Sequence, residues 1–373
     1  MKILHCADIH LDSAMTANLD KDKAKERKSE LLASFKDMVA YAVKENIRVI
    51  IIAGDLFDTR NISVGAKKEV YNIIINNPDI MFYYLQGNHD NGSFVSYLDE
   101  IPANLRMFGK EWTSYSAGII NNGSITKDIV ITGVELDSDN VGKIYGSLSL
   151  NAGNYNIVVL HGQEASHISK NNAQVISLKD LRNRGIDYLA LGHVHEYSSD
   201  RLDARGVYCY PGCLEGRGFD EAGEHGFVIL DIDEVTGKSD TYFVPFARRN
   251  VYVAQVDVTG CANTFEIEQC VRKFLAASGY AKESLVKIEL TGTLDVECEK
   301  NTDYLCKQFE SGFFAFKIKD CTAYRVDYMS YEHDVSLKGE FIRNVMGRDD
   351  INEQDKAVII RYGLQALQGE EIV

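Results

Sequence analysis

Residues 49–58 read Val49-Ile50-Ile51-Ile52-Ala53-Gly54-Asp55-Leu56-Phe57-Asp58. An unbroken apolar run of this length describes a strand buried on both faces and ending in a tight turn. Gly54 lets the backbone make that turn, and Asp55 is delivered at the strand's C-terminal edge, where open α/β sheets hold their ligands. Taken alone, the same pair also fits a carboxylate that merely caps the next element. Four other predicted strands end in the same manner. Lys2–Ala7 runs into Asp8-Ile9-His10, and Met81–Leu85 into Gln86-Gly87-Asn88-His89-Asp90. Tyr155–Leu160 runs into His161, and Tyr188–Leu191 into Gly192-His193-Val194-His195.

Between the first three strands lie two helical stretches. Lys21–Glu45 places Leu31, Leu32, Phe35, Val39 and Val43 on an amphipathic pattern, and a second helix is expected over Val64–Asn76. This β–α–β–α–β alternation predicts a layered α/β fold with parallel pairing in its first half. Beyond Ile101 the strands shorten: Ile129–Val134, Tyr155–Leu160, Tyr188–Leu191, Val207–Tyr210, Gly226–Ile232 and Thr241–Val244. A second sheet packed on the first is expected to hold them, with a domain junction at Arg248-Arg249-Asn250. After it, an alternating strand over Val251–Val258, a helix, two more strands and a short helix make a small α+β module, followed by helices from Leu337 to Leu367. Apolar stripes on those helices (Phe341, Ile342, Val345; Val358, Ile359, Leu364, Leu367) are expected to pack on their own domain.

The chain has 373 residues, of which 45% are hydrophobic and 25% charged, proportions that suit a globular protein of two domains. No stretch approaches bilayer-spanning length, and the chain opens directly with a strand rather than a basic leader. The eight cysteines form no CxxC pair, so reduced thiols in a cytoplasmic protein are expected. A net charge of −15 argues against a free-standing nonspecific nucleic-acid binder, although bound cations or a basic partner would offset it.

The strand ends together present Asp8, His10, Asp55, Asn88, His89, His161, His193 and His195, which include five of the nine histidines. Carboxylate, amide oxygen and imidazole without thiolate suit borderline-hard divalent ions such as Mn, Fe or Zn. Seven of these side chains (all but His89) exceed what one ion needs. Two ions about 3.5–4 Å apart, bridged by a carboxylate, fit the count, and Asp55 is the natural bridge. Such a centre acidifies water and clamps a phosphoryl group for in-line attack. His89 is left as the imidazole that protonates the departing oxygen. Asp58 or Asp90 would orient it, or would cap a helix.

The blocks D-x-H, GD-x-x-D, GNHD, a lone His after a strand and GH-x-H resemble the five signature blocks of the calcineurin-like metallophosphoesterases, over roughly residues 1–245. HCADIHLDS at the start and GDLFD in the second block resemble the DNA-repair exonuclease branch, the SbcD-type nucleases. HLDS in place of HLG, and Tyr210–Phe219 (YPGCLEGRGF), look more like the YhaO branch. In that loop Arg217 would contact a phosphate or be an ordinary solvated arginine. The resemblance implies a four-layer αββα sandwich over 1–247, an α+β capping domain over 248–330 and a C-terminal helical region over 331–373. It implies Asp8, His10, Asp55 and His195 on one metal, Asp55, Asn88, His161 and His193 on the other, and His89 as the catalytic histidine beside Asp58. Two Mn ions, 3′–5′ exonuclease action on DNA, a homodimer and docking on an SMC-like coiled-coil ATPase of the SbcC type complete the expectation. The same chemistry also serves a small-molecule phosphodiesterase or a phosphoprotein phosphatase.

Overall fold

The computed structural model describes the chain apart from residues 16–18, 59–61, 91, 93, 99, 122, 124–125, 165–174 and 369–373. The end of the predicted C-terminal helical region therefore lies outside the described residues. β1 (Lys2–Cys6), β2 (Val49–Ala53) and β3 (Met81–Leu85) pair in parallel. They are joined by α1 (Lys21–Lys44) and α2 (Val64–Ile75). Asp20 caps α1 by accepting from the amides of Asp22 and Lys23, and Asn46, at φ +56, turns the chain out after its last turn.

The apolar run of β2 is explained by what lies on either side. Ile50 and Ile52 pack with Leu31, Phe35, Met38 and Val39 of α1, whereas Val49, Ile51 and Ala53 point the other way, onto Ile157, Val159 and Ala190 of a second sheet. Alternate side chains thus enter two different cores, and no position is left for a polar residue.

The second sheet contains β5 (Thr113–Asn121), β6 (Thr126–Gly133), β7 (Tyr155–His161) and the strands Tyr188–Gly192, Val207–Tyr210 and Ser198–Arg201. Its outer face is covered by Leu178 and Leu181 of a four-residue helix and by Tyr145 of a 3-10 turn, together with Leu148. That fourth layer is thin among the described residues, yet the architecture is the expected α/β sandwich. One placement differs from the sequence reading. Gly226–Ile232 and Ser239–Pro245 do not join the second sheet; they return to the first as a hairpin, Gly226–Ile232 antiparallel to β1 and Ser239–Pro245 antiparallel to Gly226–Ile232. On the far side of β3 the same sheet is extended by β4 (Leu105–Met107). The hairpin satisfies the backbone of β1 on the side away from β2, which would otherwise be an open, fully apolar edge.

The chain divides into two compact units, Met1–Asn250 and Val251–Val373. The second has a parallel three-stranded sheet, Val251–Asp257, Leu285–Thr291 and Ala315–Asp320. Ile267 and Val271 of helix Thr264–Ser278 and Leu305 and Phe309 of helix Thr302–Phe309 share its core. Helices Leu337–Met346 and Glu353–Gln368 bring Ile342 and Val345 together with Ala357, Ile360 and Leu364. The stripe on the last helix therefore differs from the one expected. Ala357, Ile360 and Leu364 recur at helical spacing and are buried, while Val358, Ile359 and Leu367 stay exposed. No helix among the described residues is long and apolar enough to cross a membrane.

Candidate metal centre

β1, β2 and β3 of one sheet and β7 and Tyr188–Gly192 of the other all release their ligand-type residues at the same end. The two sheets touch there. A Cβ on Gly192 would lie 1.9 Å from the Ala53 carbonyl oxygen, so only glycine lets the second sheet's strand end reach the tip of β2. His161 Nδ1 donates to the same carbonyl at 2.9 Å. Asp8, His10, Asp55 and His193 all have φ between +50 and +99. Left-handed backbone costs about 1–3 kcal/mol for each non-glycine residue, so four of the seven predicted ligands sit on strained turns. Such strain accumulates where side chains are aimed for a task rather than for stability.

The structure gathers all seven ligand-type residues, and His89 with them. The ligand atoms of Asp8, His10 and His195 lie within 4.8 Å of one another, and so do those of Asp55, His161 and His193. Asp55 stands between the groups: its Oδ2 is 3.8 Å from His10 Nε2 and 3.4 Å from His161 Nε2, while Oδ1 accepts from the His89 amide at 2.9 Å. Asn88 Oδ1 is 3.0 Å from His161 Nε2 and 3.2 Å from His193 Nδ1. His10 Nε2 and His195 Nε2 are 3.2 Å apart, and the Asp8 carboxylate is held by the His193 amide at 2.8 and 3.0 Å.

The hydrogen bonds behind the rings fix where their other nitrogens point. The Nδ1–H of His161 faces the Ala53 carbonyl, so in the neutral ring the Nε2 lone pair points at the Asn88 and Asp55 oxygens. His195 Nδ1 donates to Glu221 Oε1 at 2.7 Å, so its Nε2 lone pair points toward His10 and Asp8. Lone pairs meeting lone pairs in a buried site repel unless a cation sits among them. Titration points the same way. Burial, with the charge of Asp55 behind it, pushes the Asp8 carboxyl up to about 7. Burial opposes protonation of His161, yet Asp55 and Asp8 still drive it up to about 9, so positive charge is favoured at Nε2, where the neutral ring would offer its lone pair to a cation. Burial also pushes His10 and His193 down to about 4, which keeps both imidazoles neutral. Mixed oxygen and neutral imidazole donors around two carboxylates fit divalent cations.

Several roles differ from those expected. Asp58 does not orient His89 through its carboxylate. Its Oδ1 is 3.0 Å from His10 Nδ1, off the line of that N–H, and 4.0 Å from His89 Nδ1, whose partner is instead the Asp58 backbone carbonyl at 3.1 Å. Asp90 is a brace: it accepts from the amides of Leu56, Phe57 and Gly87 and ties the second and third blocks together. Arg217 is not an ordinary solvated arginine: it is mostly buried and held by Asp58 and Glu221 at 2.8 Å each. Glu221 was missed. It ends no strand, and the only hint in the sequence is its spacing of four from Arg217 within a glycine-containing loop.

Residues 1–197 match the calcineurin-like phosphoesterase family. The chain is 27% identical over 293 residues to YhaO, an uncharacterized metallophosphoesterase of Bacillus subtilis, covering 73% of this chain and 66% of that relative. It is 25% identical over 310 residues to the DNA double-strand break repair protein Mre11 of Aeropyrum pernix, covering 77% of this chain and 71% of the relative. It is 22% identical over 385 aligned positions to Mre11 of Archaeoglobus fulgidus, covering 94% and 83%. With a binuclear-type donor set at the strand ends and the family matched across them, the chain belongs to the calcineurin-like phosphoesterases, metal-dependent hydrolases.

Proposed function

We propose that the protein is a Mn-dependent DNA nuclease that hydrolyses phosphodiester bonds at a two-metal centre. One observation carries this reading: Asp55 Oδ2 lies between two separate ligand groups, Asp8–His10–His195 and Asp55–Asn88–His161–His193, as a bridging carboxylate would. Two divalent ions held there would supply Lewis acidity toward water and toward a phosphoryl oxygen. The chain's own residues do the rest. His89 is half exposed and its Nδ1 donates to the Asp58 carbonyl, which leaves Nε2 to hold a proton for the departing oxygen. The His10 ring, edge-on to His89 at 5.0 Å, limits where that imidazole can swing. DNA as substrate is supported by the two Mre11 relatives, whose names state double-strand break repair.

The proposal includes residues 1–247 as the nuclease domain, 248–330 as a cap for a large substrate and 331–373 as a helical region that docks an SMC-like coiled-coil ATPase, in a homodimer. A second reading, hydrolysis of a small phosphodiester or a phosphoprotein, is favoured by the net charge of −15, since an anionic surface repels duplex DNA over a Debye length of about 8–10 Å.

The two readings separate on three substrates given to the Mn-supplied protein: end-labelled duplex DNA, a bis-aryl phosphodiester and a mono-aryl phosphate. Cleavage of the DNA is expected. Turnover of the bis-aryl ester without DNA would favour the second reading, and turnover of the monoester alone would overturn the nuclease assignment.

A further inference from the structure

We propose that Arg217 is a positioning residue that sets the occupancy of one of the two metal positions, Asp8–His10–His195, and leaves the other untouched. The inference rests on the two-metal reading above. Its basis is the way one guanidinium joins two carboxylates. Arg217 Nη1 donates to Asp58 Oδ1 at 2.8 Å, and that same oxygen lies 3.0 Å from His10 Nδ1. Arg217 Nη2 and Nε donate to Glu221 Oε1 at 2.8 and 3.1 Å, and that oxygen accepts from His195 Nδ1 at 2.7 Å. Each histidine is thus faced from behind by a carboxylate oxygen, and both oxygens hang on one planar group. The result is visible in front, where the two Nε2 atoms point at one place, 3.2 Å apart.

The second group is braced differently. His161 Nδ1 is held by a backbone carbonyl, and the Asp55 carboxylate by a backbone amide. Those partners are backbone groups of the strand ends themselves, so neither depends on Arg217 or Glu221. In one metal position His161 and Asp55 therefore lean on backbone; in the other Asp8 does so too, but His10 and His195 lean on the carboxylates that Arg217 joins.

The loop that carries Arg217 and Glu221 is anchored by partners of its own. Arg27, fully buried in α1, donates to Glu215 Oε2 at 3.0 Å and to the Gly216 carbonyl at 2.9 Å. His225 Nε2 donates to the Glu221 carbonyl at 2.8 Å, and its Nδ1 lies 3.2 Å from the Cys213 thiol. The Arg217 amide closes the turn on Glu221 Oε2 at 2.7 Å. Arginine is required because its donors fan out in a plane and reach two carboxylates at once; an ammonium is a point charge that serves one at a time.

The test is Mn binding to the full chain by titration calorimetry, with electron paramagnetic resonance to report whether bound ions are paired. The unsubstituted protein is expected to bind two ions and to show a spin-coupled pair. In Arg217→Met one site weakens about 10–100-fold while the other holds within about twofold, and an isolated-ion spectrum appears at one equivalent. Arg217→Lys falls between. Should Arg217→Met not fold, as thermal unfolding of the metal-free protein would show, Glu221→Gln makes the same test and is expected to weaken the same single site. Retention of both sites at full affinity in these variants, or equal weakening of both, overturns the proposal. Binding of fewer than two ions by the unsubstituted protein would instead refute the two-metal reading, and this inference with it.

Discussion

Gly54→Ala would test how closely the fold is fitted around the second metal position. Gly54 has φ +95, and a Cβ there would lie 2.1 Å from His161 Nδ1 and 2.5 Å from its Cγ. Ordinary contact begins at 3.4 Å, so the ring must retreat by about 1.3 Å, several times the roughly 0.2 Å that metal–ligand distances tolerate. The ring has little room. Its Nδ1 is bonded to Ala53, the His193 ring stands edge-on with centroids 5.3 Å apart, and even a Cβ on Gly192 would come within 2.9 Å of it. Backbone strain contributes about 1–3 kcal/mol and the lost His161–Ala53 hydrogen bond about 1 kcal/mol, a total of about 2–4 kcal/mol. In a unit of this size that lowers the unfolding midpoint by about 5–15 °C. The expected outcome is a chain that folds, unfolds earlier and binds Mn only at the Asp8–His10–His195 position. Titration calorimetry measures the second part and thermal unfolding in chelator the first. Wild-type affinity at both positions, with an unshifted midpoint, would refute the steric reasoning. The expected defect is the mirror image of that of Arg217→Met, so the two variants together distinguish the positions.

His89→Gln should keep both Mn ions and lose turnover by about 10²–10⁴-fold, the usual worth of a positioned proton donor; unchanged turnover would remove His89 from that role. A pH effect is expected from a buried histidine outside the ligand set. His5 is buried with its Nδ1 2.8 Å from the Tyr188 hydroxyl, and burial pushes it from 6.5 down to about 3. Between those values the unfolded chain binds the extra proton, so stability rises with pH across the window and is lost as pH falls, by about 1.4 kcal/mol per unit. Urea unfolding of metal-free protein at a series of pH values should show this slope, and His5→Gln should flatten it; equal slopes would count against His5 as the source.

The legible part of this protein was the part written locally. An apolar run, a glycine and a ligand-type residue are neighbours in the chain, so five strand ends and their donors, from Asp8 to His195, were readable in order. The period of α1 was readable for the same reason. What the sequence by itself determined was thus the chemistry of the donors, the α/β alternation and the family. Other features depended on partners far away in the chain. Gly226–Ile232 carries no mark of which sheet it joins, because its register with Lys2–His5 is a fact about distant backbone. The step from Arg217 to Asp58 spans 159 positions, and nothing near either residue announces it. Asp58 Oδ1 lies nearer His10 Nδ1, at 3.0 Å, than His89 Nδ1, at 4.0 Å, a choice between two histidines that are both remote from it in the chain. Residue types and short periods are properties of the chain; a contact of 3 Å between residues separated by half its length exists only once both sheets have closed on a common core.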